Sequence, residues 1–216
     1  AANGTAVGRS ALAANTTGEN NTGIGRSALL SNTTGGTNNA FGAFALQDCT
    51  TGAHNTAIGY VSGENITTGT KNTAVGTHSL DVLTTGSFNT AIGQDALGNA
   101  TTSSSNTACG QNALAANTTG TENTAVGMNA AATINTGSYN IAVGRRALYA
   151  ASSCSNNIAI GRSCMEDATS DAENNVCIGS VAAFALRSDA NVVVGYEALK
   201  TATTGAVNTA IGYQAL

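Results

Sequence analysis

Asn208–Leu216 reads NTAIGYQAL, and its first five residues recur at Asn55–Gly59 (NTAIG), Asn72–Gly76 (NTAVG), Asn89–Gly93 (NTAIG) and Asn123–Gly127 (NTAVG). If the last residue of each phrase is position 0, the position falls on Gly8, Gly25, Gly42, Gly59, Gly76, Gly93, Gly110, Gly127, Gly144, Gly161, Gly179, Gly195 and Gly212. Successive spacings are 17 residues nine times, then 18, 16 and 17, so a single slip near Asp171 is corrected in the next unit. A fixed period over the whole chain is the mark of a repeat architecture. Seventeen residues are too few for a pair of helices, but extended they span about 55 Å, enough for two short strands and two turns. The sequence therefore predicts an all-β protein: a parallel β-solenoid, or β-roll, of about thirteen 17-residue coils. It reads as one repeat domain over residues 1–216, uncapped at both ends.

Composition narrows the function classes. The chain has no Pro or Trp, 26 Gly, only 9% charged residues and a net charge of −4. Such a balance offers no basic footprint for nucleic acid. No apolar run approaches the roughly 18–20 residues of a membrane span, so membrane insertion is not expected. Large apolar side chains are scarce, which makes a conventional core thin.

Each coil position carries its own restriction. Position −1 is always apolar or Cys (Val7, Ile24, Phe41, Ile58 and onward), and −3 exchanges Thr for Ile141, Ile158, Val176 and Val192. Because −3 and −1 share one side of a strand, they read as the coil interior, together with Leu at +4 (Leu12, Leu29, Leu46, Leu80, Leu97, Leu114, Leu148, Leu199, Leu216). Position −2 is almost always Ala and position 0 always Gly. Small residues there imply that something lies close: a second sheet of the same coil or, the expectation taken here, a neighbouring copy of the chain. A three-fold bundle of shafts follows from that choice.

Position −4 is Asn in twelve units: Asn21, Asn38, Asn55, Asn72, Asn89, Asn106, Asn123, Asn140, Asn157, Asn175, Asn191 and Asn208. Stacked amides can donate to one rung and accept from another, forming a structural ladder; tolerance of a left-handed turn is the plainer explanation. The Asn-Thr-Thr-Gly segments place Gly at +10, where a positive φ is expected for a tight reversal. Several are N-x-Ser/Thr sequons, among them Asn15, Asn32 and Asn117, although turn chemistry accounts for them.

Of five cysteines, Cys109, Cys164 and Cys177 replace Ile/Val or Ala and read as small core residues, while Cys49 and Cys154 fall in turns. The number is odd and the sequence chooses no disulfide pair. His54 and His78 occupy different coil positions without a recurring partner, and Asp95 and Asp167 stand several rungs apart. No phosphate-binding loop with its Lys-Ser/Thr ending appears, nor a calcium-binding nonapeptide turn. The chain is therefore expected not to be an enzyme and to need no cofactor and no metal. Tyr60, Tyr139, Tyr196, Tyr213 and Arg145 mark corners that suit surface binding, beside the plainer reading of a solubilising rim.

The strings NIAVG (Asn140–Gly144), NIAIG (Asn157–Gly161) and NTAIG resemble the repeat signature of trimeric autotransporter adhesin heads. The longer phrase NTAIGxxAL–NTTG is similar to shaft repeats of bacterial and phage tail-fibre-like proteins. The first resemblance implies a left-handed parallel β-roll, three chains wide, although the adhesin repeat is shorter than 17 residues. Neither implies a catalytic residue. The resemblances lead to the expectation of a membrane anchor and stalk, or of a self-cleaving chaperone, which residues 1–216 do not contain, and the repeat reads as open in mid-coil at both ends. Leu216 followed by another copy's Ala1-Ala2-Asn3 echoes Leu12-Ala13-Ala14-Asn15, which suggests end-to-end stacking.

The expected function is a structural fibre: a rigid extracellular, cell-surface or virion shaft whose partner is itself, laterally and end to end, as a homotrimer or filament. The alternatives are an adhesive rod that binds a cell-surface glycan or receptor, and an ice-binding solenoid with a flat Thr rank at −3. Against ice binding stand the four consecutive units that carry Ile or Val there.

Overall fold

The computed structural model is a parallel β-solenoid with one three-residue strand in each coil. It describes residues 3–169, 172–201 and 205–215. Leu216, Asp171 and the Ala1-Ala2 pair invoked for end-to-end stacking lie outside the described residues. The chain forms two compact units, residues 1–106 and 107–216.

The first unit holds β1 (Thr5–Val7), β2 (Thr22–Ile24), β3 (Asn39–Phe41), β4 (Thr56–Ile58), β5 (Thr73–Val75) and β6 (Thr90–Ile92). The second holds β7 (Thr107–Cys109), β8 (Thr124–Val126), β9 (Ile141–Val143), β10 (Ile158–Ile160), β11 (Val176–Ile178), β12 (Val192–Val194) and β13 (Thr209–Ile211). Within each unit every strand pairs in parallel with the next and in register, so like stands over like: Ile58 over Val75, Ile158 over Val176. The 18- and 16-residue spacings leave that register intact on both sides of β11. The extra residue of one coil and the missing residue of the next are therefore absorbed away from the strands.

One strand per coil replaces the two expected, because left-handed corners interrupt the rest of the lap. In the coil starting at Asn55, Val61, Gly63 and Lys71 have φ of 58°, 59° and 57°. The same +2, +4 and −5 positions take positive φ in coil after coil, with Leu at many of the +4 sites. Such backbone costs roughly 1 kcal/mol or more at a residue with a side chain, and persists because the surrounding structure overdetermines it. Here the surroundings are the neighbouring rungs. Val61 and Lys71 donate their N–H groups back to Ala43 and Ala53, while Thr56, Gly63 and Thr67 donate forward to Asn72, Ser79 and Thr84, all at 2.8–3.0 Å. Backbone pairing thus continues round the lap where no strand is present.

The interior is the reverse of the sequence expectation. The −2 residues Ala40, Ala57, Ala91 and Ala108 are fully buried, as are +3 residues such as Ala45, Ser62 and Ala96. The −1 rank faces out: Ile24, Phe41, Ile58 and Ile92 are 36–43% exposed, and the −3 residues beside them are half-buried or exposed. The reason is room. A 17-residue lap folded on three tight corners encloses a lumen that accepts one or two large side chains per coil, so the strand turns its alanine inward. Size, rather than apolarity, selects what goes inside.

Large side chains enter that lumen from two positions. Leu29, Leu46, Leu97 and Leu114 fill it from +4, as expected. Where +4 is small (Gly63, Ala131, Ala183), the large residue stands at +7 instead: Ile66, Ile134 and Leu186, all fully buried.

The glycines at position 0 are explained by the same stacking. Gly59 has φ of 139°, and a Cβ added there would lie 2.6 Å from the carbonyl oxygen of Gly76 one rung on. The close neighbour is the next coil of the same chain, not another copy. At +10 the expected positive φ is absent from glycines such as Gly35, whose Cβ would instead lie 2.1 Å from the oxygen of Gly52. Close rung-to-rung approach favours glycine there, although Ser103 and Cys154 occupy the same position in their coils and are fully buried.

Candidate functional site

Two kinds of surface carry the candidate residues: an internal ladder that holds the coils in register, and the outer face of the strands. The ladder is the −4 asparagine rank. Asn72 donates its backbone N–H to Oδ1 of Asn55 at 2.9 Å, and its Nδ2 reaches the same oxygen at 3.1 Å. That Nδ2 also donates to the carbonyl of Gly86 at 2.9 Å, fourteen residues on in the same lap. One amide therefore ties rung to rung and closes its own coil. The pattern recurs in the first unit from Asn21 and Asn38 to Asn89 and Asn106. It recurs in the second from Asn123 and Asn140 through Asn157, Asn175 and Asn191 to Asn208. The asparagines are buried except the last, and burial strengthens hydrogen bonds that are fully satisfied.

A second ladder was not legible in the sequence. At +8, Thr16, Thr33, Thr50, Thr67 and Thr84 each donate a hydroxyl to the carbonyl seventeen residues ahead, at 2.8–3.1 Å. The signal is the first Thr of each Thr-Thr pair, but Asn-Thr-Thr-Gly also fits turn chemistry, and spacing alone does not separate the two roles.

The outer face consists of the −3 and −1 ranks. In the first unit it carries Thr5, Thr22, Asn39, Thr56, Thr73 and Thr90 beside Val7, Ile24, Phe41, Ile58, Val75 and Ile92. In the second, Ile141, Ile158, Val176 and Val192 replace Thr, so both ranks are apolar over β9–β12. No charged side chain stands in either rank. Cys109 belongs to this face and is half-buried, which corrects its reading as a core residue. Cys49 and Cys154 point into the lumen from +7 and +10, and burial pushes both thiols up to about 12.

The corner residues fall into separate groups. Tyr60 is exposed and meets Phe44 and His78 edge to face at 5.9 and 5.7 Å, with the Arg26 guanidinium 4.3 Å from the Phe44 ring. His78 Nδ1 lies 3.2 Å from Asp81 Oδ2. Burial raises the Asp81 carboxyl above its ordinary range while contact with His78 opposes it. Burial, with Asp48 and Asp81 nearby, likewise raises Glu64. In the second unit Tyr196 and Tyr213 stack at 5.3 Å. Tyr139 and Arg145 are exposed at opposite ends of β9, at −5 and +1.

Among the described residues no three His, Cys, Asp or Glu side chains gather as a metal site, and no helix is long and apolar enough to cross a membrane. Compared with protein-family models, curated proteins and solved structures, the chain matches none.

Proposed function

We propose that this chain is the shaft of an extracellular or virion-surface fibre, and that it assembles laterally with copies of itself through the −3/−1 face. The observation that carries the proposal is that face: an in-register sheet whose outward ranks are mostly Thr, Val and Ile and carry no charge. A sheet with one wetted face normally alternates apolar-in with polar-out. Here the larger apolar residue is outside, and contiguous apolar patches of this kind mark interaction surfaces. A second copy is the partner that fits. The face has no charge pattern to read a different protein, and its own repeat presents the same small steps to an identical surface.

The shaft's mechanical role rests on the ladders. Rung-to-rung backbone bonds, the buried asparagine rank and the half-buried threonine rank resist bending and register slip together, because a slip would strand every amide at once. The adhesive alternative is supported by the exposed Tyr60 cluster and the Tyr196–Tyr213 stack.

Light scattering and electron microscopy of the purified chain test the proposal. The wild type is expected to form oligomers or fibres, and Ile58→Lys with Ile92→Lys to yield dispersed chains with an unchanged circular dichroism spectrum. A wild type that stays monomeric at tens of micromolar would overturn the lateral assembly.

A further inference from the structure

The lumen brings two cysteines together. Cys164 stands at +3 of one coil and Cys177 at −2 of the next, thirteen residues later, and both are fully buried. Cys164 Sγ lies 3.1 Å from the carbonyl oxygen of Cys177. The direction is a property of the coil: Ser62, at the matching +3 site, places Oγ 3.0 Å from the carbonyl of Ala74, the matching −2 residue. Elsewhere in the second unit these facing positions are Ala over Ala (Ala130 and Ala142, Ala147 and Ala159) or Ala over Val (Ala182 and Val193). Two of the chain's five cysteines thus share one facing pair of the lumen.

From this juxtaposition we infer that Cys164 and Cys177 are a built-in cross-link site, closing to a disulfide between successive coils when the chain meets a disulfide oxidant such as oxidised glutathione. One cysteine thiolate attacks the glutathione disulfide, displacing one glutathione thiolate and leaving a mixed disulfide. The other thiolate then attacks the protein sulfur of that mixed disulfide, forming the Sγ–Sγ bond and releasing the second glutathione. Two protons and two electrons leave the protein, and one oxidised glutathione becomes two thiols. Contact between the buried thiols together with desolvation holds Cys177 far above the usual thiol range, so attack proceeds while the coil is open, during folding or local unfolding.

The bridge has a specific structural task. It joins the coil that carries the extra residue to the coil that lacks one, across the single irregularity in the repeat. The other buried thiols are spent differently: Cys49 donates to the Gly52 carbonyl at 3.5 Å, and Cys154 lies 3.9 Å from Asn140 Oδ1.

The test is to refold the full chain from denaturant into a buffer of oxidised and reduced glutathione, block free thiols and count them. In parallel, the never-unfolded protein is held in the same buffer just below its melting temperature. Three free thiols are expected, with the tryptic peptide Ser163–Arg187 lighter by two hydrogens. Further cleavage at Glu166 or Glu173 should leave its fragments joined until a reductant is added. The bridged protein should melt about 5–10 °C higher than the reduced form, and Cys164→Ala, which installs the residue of the neighbouring coils, should abolish the rise. Five free thiols on both routes, or a bridge to any other cysteine, would overturn the inference.

Discussion

Oδ1 of Asn55 accepts two hydrogen bonds from Asn72, one from its backbone N–H at 2.9 Å and one from its side-chain Nδ2 at 3.1 Å. That pair explains why the rank is asparagine. Aspartate keeps the acceptor but has no Nδ2–H, and serine is too short to close the lap. Asn72→Asp is expected to cost about 3–5 kcal/mol at neutral pH, since it buries an uncompensated charge against the Gly86 carbonyl. The buried carboxyl would have a raised pKa, so the loss should shrink as the pH falls. Urea unfolding at two pH values checks both points.

Gly63 and Ile66 provide a test of the lumen. A Cβ on Gly63 would sit 3.1 Å from Ile66 Cδ1, so in this coil the two side chains would crowd each other, although the next coil buries both Leu80 and Leu83. Ile66→Ala alone should destabilise by about 2–5 kcal/mol through the cavity it leaves, and Gly63→Leu alone should destabilise by overpacking. The double variant recreates the Leu97/Ala100 arrangement, and its backbone φ of 59° is close to the 51° of Leu97. It is expected to recover most of the loss. A double-mutant cycle would show that coupling as strong non-additivity.

This exchange also shows how far the sequence could be read. The period, the strand position and the stacking of like over like follow from spacing alone, and the glycine and asparagine ranks were visible as invariants. The inside-out assignment was not. Ile58 looked like a core residue because it is apolar, and Ala57 like a contact residue because it is small; the lumen admits the second and excludes the first. Lumen width depends on the left-handed corners at residues such as Val61 and Leu80, whose identities give no hint of positive φ.

Asn117 is buried at +7 with neither amide atom hydrogen-bonded, unlike Asn32, whose Nδ2 donates to Asn15 and to the Gly35 carbonyl. The rung ahead offers Ile134 in place of a partner. Asn117→Ala, the residue found at Ala100 and Ala151, is expected to raise stability by about 1 kcal/mol. A denaturant midpoint moved upward without a change in slope would record it.

The acidic corner formed by Asp48, Glu64 and Asp81 gives a pH signature. Glu64 and Asp81 both have folded-state pKa values raised above their ordinary ones, chiefly by burial. The folded state therefore holds protons that the unfolded state has lost, and these groups lower stability as the pH rises from the ordinary carboxylate range through the raised values. Glu64→Gln should stabilise at pH 7 by a few tenths of a kcal/mol and flatten this part of the profile. Melting temperatures between pH 3 and pH 7 would reveal it.

The most direct test of the outward −1 rank and of its burial between copies uses thiols the chain already has. Cys109 lies in that rank, whereas Cys177 lies in the −2 rank within the lumen. In dilute, dispersed, reduced protein, a thiol reagent followed by peptide mapping should label Cys109 quickly and leave Cys177 unmodified, and raising the concentration until copies associate should slow the labelling of Cys109. Rapid labelling of Cys177 with Cys109 protected, or a Cys109 rate unchanged by assembly, would contradict the account.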